Sequence, residues 1–352
     1  MNSVLFGRSV IRRFAVCLLL LAAVDQAVIP ILHFSESKHY RSAALGRFPN
    51  SDLFPLGPLV DYLEENPAGS KPRVAFLGDS RVWGYQLEAE DAIPAVFQRL
   101  APNVEVLNLG INGFQNGSDY LLSKRLLGSV DSFYLFFHED PKHQQADPLL
   151  PTLIRVDPAD AARFGLRPSS KLQIWLGRVA AQWHLARYSY RLQAAWFGTS
   201  TRQACALFLK DLMMAHSAQK PVPATNSLKG GTAEGASAAV FYEAPTYSGS
   251  VSVEETARLA KRYPFLWNYA GLLARSGRRG FFIEFSTAET VMSKQDAALF
   301  NAHFSPYATI VRLTIPDSWF LDKRLHMTRE GASGVARLLA RMTRELSGEP
   351  PK

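Results

Sequence analysis

Val74-Ala75-Phe76-Leu77-Gly78-Asp79-Ser80-Arg81-Val82-Trp83-Gly84-Tyr85 decides the reading of this chain. Val74 to Leu77 is an unbroken apolar run, the pattern of a strand buried on both faces. Gly78 ends the run, and a helix-like segment follows. A serine on such a strand-to-helix turn is exposed, with backbone amides facing any charge that develops beside it. Serine attacks poorly until a base takes its proton. The candidate base is His326, in Phe320-Leu321-Asp322-Lys323-Arg324-Leu325-His326, and Asp322 is the candidate partner that orients it. Plainer roles exist for each residue. Asp79 and Ser80 are good helix caps, Asp322 could be a surface carboxylate beside Lys323 and Arg324, and His326 a capping histidine.

Outward from this stretch, apolar runs alternate with helical spacing. Helical spacing covers Pro94 to Leu100, and Val104 to Asn108 reads as a second strand ending in Leu109-Gly110-Ile111-Asn112-Gly113. A helix from about Ser118 to Leu127 leads to a third run, Ser132 to Phe137, which ends at His138-Glu139-Asp140. The pattern resumes late: a helix over Glu254 to Ser276, a strand at Phe281 to Phe285, and a helix over Gln295 to Ala302. A strand at Thr309 to Leu313 follows, then a final helix over Ala332 to Leu346 with Thr328 as its cap. Strands alternating with helices predict an α/β fold around a parallel sheet, with ligands at the carboxyl ends of the strands.

The two ends of this pattern are separated by residues of different character. Lys171 to Ala215 is aromatic-rich and basic and reads as helices. His216 to Ser250 is rich in Gly, Ser, Ala and Pro and reads as a loop or lid. Residues 150–255 are therefore read as an insertion into one domain spanning 70–348. Trp175, Trp183 and Arg187 are candidates to line a glycan groove, or else ordinary packing residues of amphipathic helices.

The N-terminus has a direction. Arg8, Arg12 and Arg13 precede the leucine-rich, mostly apolar stretch Phe14 to Leu32. A membrane-crossing helix needs about 17–25 such residues, and its positive flank stays in the cytoplasm. Residues 1–33 read as a cytoplasmic stub and signal anchor, and 34–69 as a linker. The expectation is a single-pass protein of the cytoplasmic membrane with its main domain periplasmic or extracellular. Asp25 within the span lies near the far interface or faces a membrane partner. The formal net charge of +8 comes with no Lys/Arg block interleaved with aromatics, which argues against nucleic acid. With cysteine only at Cys17 and Cys205, neither a disulfide framework nor a Cys-based zinc site is expected.

Gly78-Asp79-Ser80, the Asn108-Leu109-Gly110-Ile111-Asn112-Gly113 turn, and a late Asp/His pair before Thr328-Arg329-Glu330-Gly331 resemble the SGNH (GDSL) hydrolase superfamily. The resemblance covers about 70–140 and 256–345. It implies a three-layer, flavodoxin-like α/β fold with a central parallel sheet. It makes Ser80 the nucleophile, His326 the base and Asp322 its partner, with an oxyanion hole built from Ser80, Gly113 and Asn112, and no metal or organic cofactor.

The chain departs from the superfamily in two places. Glu139 stands where an oxyanion-hole asparagine is usual; either it points elsewhere, or it is protonated, or Asn112 or Asn116 supplies the missing donor. Asp322 and His326 are one residue farther apart than usual, with Asp317 a weaker substitute. The anchor followed by an external SGNH-like domain is similar to proteins of alginate O-acetylation and teichoic-acid D-alanylation. The resemblance therefore implies O-acyl transfer, acetyl first, to an extracytoplasmic polysaccharide beside a membrane-bound O-acyltransferase partner. Two other functions fit the same residues: a secreted carbohydrate esterase or deacetylase, and a non-catalytic scaffold of a polysaccharide synthesis complex.

Overall fold

The computed structural model describes residues 13, 15–20, 22–23, 56–66, 68–85, 87–111, 114–137, 144–148, 150–167, 169–172, 174–175, 240–285, 292–322 and 326–346. The chain divides into two compact units, 1–38 with 177–235 and 39–176 with 236–352. In the first unit, the described residues of the expected anchor, 15–20 and 22–23, are helical. Among the described residues, no helix is long and apolar enough to cross a membrane. The rest of the expected span lies outside them.

The second unit is an α/β fold. Its elements begin with α1 (Leu56–Glu65), β1 (Arg73–Leu77), the one-turn helix α2 (Ser80–Trp83), α3 (Ile93–Leu100), β2 (Glu105–Asn108), α4 (Asn116–Leu126) and β3 (Ser132–Phe136). Next come α5 (Leu150–Leu153), α6 (Pro158–Arg163), β4 (Phe241–Glu243), α7 (Val253–Arg262), α8 (Pro264–Ser276) and β5 (Arg279–Phe285). The chain then continues through α9 (Lys294–Phe304), β6 (Ala308–Thr314), the short strands β7 (Phe320–Asp322) and β8 (His326–Met327), and α10 (Arg329–Leu346).

The main sheet has the order β2-β1-β3-β5-β6-β4. All its pairings are parallel except that of β4, which runs antiparallel along the outer edge of β6. The parallel strands are thus ordered second, first, third, fourth, fifth along the chain. In this doubly wound order the switch point lies between β1 and β3, and the crevice outside their carboxyl ends is where such sheets bind ligands. Gly78-Asp79-Ser80 leaves β1 at that point.

The sheet is buried because successive strand residues feed opposite apolar clusters. Ala75, Leu77, Leu107, Phe133, Leu135 and Phe282 join α1, α4 and α8 on one face. Val74, Phe76, Val106, Tyr134, Phe136 and Ile283 join α3 and α10 on the other. This is the period of two along a strand, with both faces covered. Phe76 stacks on Tyr134 at 4.7 Å and meets Phe97 edge-on at 5.1 Å, contacts that add about 0.5–1.5 kcal/mol each beyond their buried area.

Several sequence expectations are corrected. The segment read as a linker, 34–69, contains α1, which buries Leu56, Leu59, Val60 and Leu63. The helix read over Glu254 to Ser276 is two helices. Pro264 lacks the N–H that would continue α7 and instead starts α8, where a missing donor costs nothing. The loop read at 216–250 contributes β4, through pairs such as Tyr242 with Leu313. Residues 216–239 of that loop lie outside the described residues, as do Trp183, Arg187 and Cys205, whereas Trp175 is described and exposed.

Candidate active site

The turn after β1 is shaped by backbone demands. Gly78 has φ +143°, a region that L side chains rarely adopt, and an added Cβ would stand 3.0 Å from both Phe136 and Val82. Asp79 is the N-cap of α2, its Oδ1 accepting the Arg81 N–H at 3.0 Å. Ser80 is the first helical residue, and its carbonyl accepts the N–H groups of Gly84 and Tyr85, each at 3.0 Å. Gly84, at φ +83°, ends the turn.

The loop after β2 is pinned to this turn. Ile111 N–H donates to the Gly78 carbonyl at 3.0 Å, and Asn108 Oδ1 accepts the Gly110 N–H at 3.1 Å. Gly110 approaches so closely that a Cβ there would lie 2.5 Å from the Trp83 nitrogen. Asn112 and Gly113, the expected oxyanion donors, lie outside the described residues, as does Glu139. The residues bracketing the first two are joined, Phe114 N–H donating to the Ile111 carbonyl at 2.9 Å. Asn116 is buried at the start of α4.

His326 arrives on a hairpin. β7 and β8 are antiparallel, and the register sets Asp322 directly opposite His326, with an irregularity between Phe320 and Asp322. The two residues are thus a cross-strand pair although four positions separate them in sequence. Asp317, the weaker substitute, instead opens a short 3-10 turn before β7. The His326 ring stacks on Tyr85 at 4.2 Å between centroids, and β8 packs against α2. The structure thus brings the Ser80 turn and the His326 strand together. Among the described residues no hydrogen bond joins Ser80 Oγ to His326. Thr328, as expected, caps α10 by accepting the Gly331 N–H at 3.0 Å.

No family model matches this chain, and no curated protein or solved structure matches it.

Beneath the turn lies a charged group that the sequence reading missed. Arg81 Nε donates to Asp79 Oδ1 at 3.0 Å with both side chains less than a tenth exposed, and the guanidinium lies 5.4 Å from the Phe285 ring centroid. Asp119, in the first turn of α4, is also buried. Burial, and then the neighbouring Asp79 charge, raise its carboxyl well above the usual carboxylate range, against the opposing effects of the Gly78 N–H bond and Arg81. Among the described residues, the buried side-chain polar atoms without a partner are Arg81 Nη2, Gln115 Oε1 and Asp119 Oδ1. All three belong to the Ser80 turn or to the start of α4. A sequence signal for Asp119 existed: it is a carboxylate immediately before the apolar Tyr120-Leu121-Leu122 of one helix.

Proposed function

We propose that the protein carries acyl groups as an ester on Ser80 and passes them to a hydroxyl of an extracytoplasmic polysaccharide. The observation that carries this reading is the convergence of the Ser80 turn with the hairpin that opposes Asp322 to His326, at the switch point of the sheet. His326 takes the Ser80 hydroxyl proton as Oγ attacks the acyl carbonyl, and returns it to the leaving group. Asp322 holds the imidazole and balances its positive form. The N–H groups of Ser80 and Gly113, with Asn112, receive the oxyanion. In the second half-reaction His326 takes a proton from the acceptor hydroxyl, which attacks the ester and frees Ser80.

The glycan acceptor, the acetyl group, and the membrane-bound O-acyltransferase that would supply it rest on the resemblance to envelope acylation proteins and on the apolar N-terminal segment. The SGNH-like, three-layer identity of the fold belongs to the same proposal, and the doubly wound strand order supports it. The test incubates the full chain with p-nitrophenyl acetate and an acetyl-free acidic polysaccharide. Acetyl on Ser80 and then on the polymer, both absent in Ser80→Ala, is the expected result. Acetyl on Ser80 released only as acetate would replace transfer by an esterase. An unmodified Ser80 would remove the enzyme altogether.

A further inference from the structure

We infer that Trp319 is a positioning residue for His326: its indole seats the hairpin that carries the histidine in a glycine-floored notch on α10. This rests on the reading of His326 as the base for Ser80. Trp319 ends the 3-10 turn before β7, and its half-buried side chain lies over Gly331 and Gly334. Those glycines are three residues apart and so share one face of the helix. A Cβ on Gly331 would stand 2.8 Å from the Trp319 Cβ, and one on Gly334 would fall on the indole, 2.6 Å from Cζ2. Neither glycine has a positive φ, so neither is there for its backbone freedom. Glycine weakens a helix interior relative to alanine. What it supplies in α10 is room for the ring.

The seat is joined to His326 through the backbone. Trp319 immediately precedes β7 and Thr328 immediately follows β8, and the Thr328 N–H donates to the Trp319 carbonyl at 2.9 Å. This bond closes the base of the ladder, just beyond the pairing of Phe320 with Met327. The Thr328 hydroxyl accepts the Gly331 N–H at 3.0 Å, so the same threonine ties the ladder to the start of α10. Met327 is buried in the cluster of Phe136, Ile283 and Val311, and Phe320 meets Phe285 edge-on at 5.8 Å. His326 is thus two residues from an anchored position, and its ring is met by Tyr85 from the Ser80 turn. Trp319 holds the strand and Tyr85 holds the ring. Apolar cover alone would be served by a smaller side chain over alanines, without weakening the helix.

The test compares full chains of wild type, Gly334→Ala, Trp319→Leu and the double variant, with two readouts. Single-turnover acylation over a range of p-nitrophenyl acetate concentrations separates the saturating rate from the half-saturating concentration. Hydrogen–deuterium exchange of peptides spanning Thr328 reports the seat without reference to activity. Gly334→Ala should raise exchange at Thr328 and slow the saturating rate about tenfold, with the half-saturating concentration within about twofold of wild type, as a misplaced base does. In the Trp319→Leu background the same change should cost less than about twofold, because two changes to one contact do not add. Wild-type rate and exchange in Gly334→Ala, or an equal added loss in both backgrounds, would overturn the proposal. So would an effect confined to the half-saturating concentration, which marks a lost binding contact. A wild type that resists acylation while Gly334→Ala raises exchange at Thr328 would refute the role of His326 and leave Trp319 as the seat of the hairpin alone.

Discussion

Asp322 and His326, four positions apart in sequence, are paired across the antiparallel β7–β8 ladder. Directly opposed residues of an antiparallel pair have Cβ atoms about 4.5–5.5 Å apart. Four positions along the chain thus become one step across a ladder. Tyr85 fixes the other side of the hairpin by stacking on His326 at 4.2 Å. Its N–H is bonded to the Ser80 carbonyl, which makes Tyr85 a direct link between the two candidate catalytic segments.

Removing that link has an expected cost. Tyr85→Ala should lower the rate of Ser80 acylation by roughly tenfold to a hundredfold, because a loosened imidazole loses oriented attack. Tyr85→Phe keeps the stacking ring and should stay near wild type. Single-turnover acylation of the two variants with p-nitrophenyl acetate measures the difference. Equal losses would show that ring stacking is not what positions His326.

A buried ion pair joins the neighbouring strands β5 and β6. Arg312 Nε bonds Glu284 at 3.0 Å, both side chains are at most a tenth exposed, and the guanidinium also reaches the Met292 carbonyl. Glu284→Leu leaves that cation uncompensated and should cost about 3–5 kcal/mol. The double variant Glu284→Leu with Arg312→Leu should recover much of the loss. Urea unfolding of the three proteins decides it, and a double variant no better than the single one would contradict this assignment.

The pH dependence of stability carries the signature of Asp119. Its carboxyl binds a proton more tightly in the folded chain than in the unfolded one. Stability is therefore highest below the ordinary carboxylate pKa of about 4, and this contribution is lost as pH rises through the raised folded value. Asp79, Arg81 and the Tyr269 hydroxyl are the groups around it, and all remain in Asp119→Asn. Wild type should therefore lose stability relative to Asp119→Asn as pH increases. Paired urea titrations at several pH values read this directly, and parallel curves would mean that Asp119 ionises normally.

Much of the sheet was legible because burial on both faces leaves continuous apolar runs such as Val74-Ala75-Phe76-Leu77. β4 was not, because Phe241-Tyr242-Glu243 is only a short edge strand whose partner, β6, lies about seventy residues later. Helix α1 was hidden by the prolines around it, although Leu56, Leu59, Val60 and Leu63 carry helical spacing. At the site, Ser80 and His326 could be named from residue type and order. The stacking of Tyr85 and the burial of Asp119 could not, since both depend on which loop meets which across the ends of the strands.

Chemical trapping of Ser80 tests the central claim most directly. The full chain would be treated with a fluorophosphonate probe and the modified peptide located by mass spectrometry, with Ser80→Ala and His326→Ala alongside. The account predicts modification at Ser80, absent in Ser80→Ala and slowed at least about a hundredfold in His326→Ala, the scale on which serine depends on its base. A folded wild-type protein in which Ser80 stays unmodified, or is modified equally fast without His326, would contradict it.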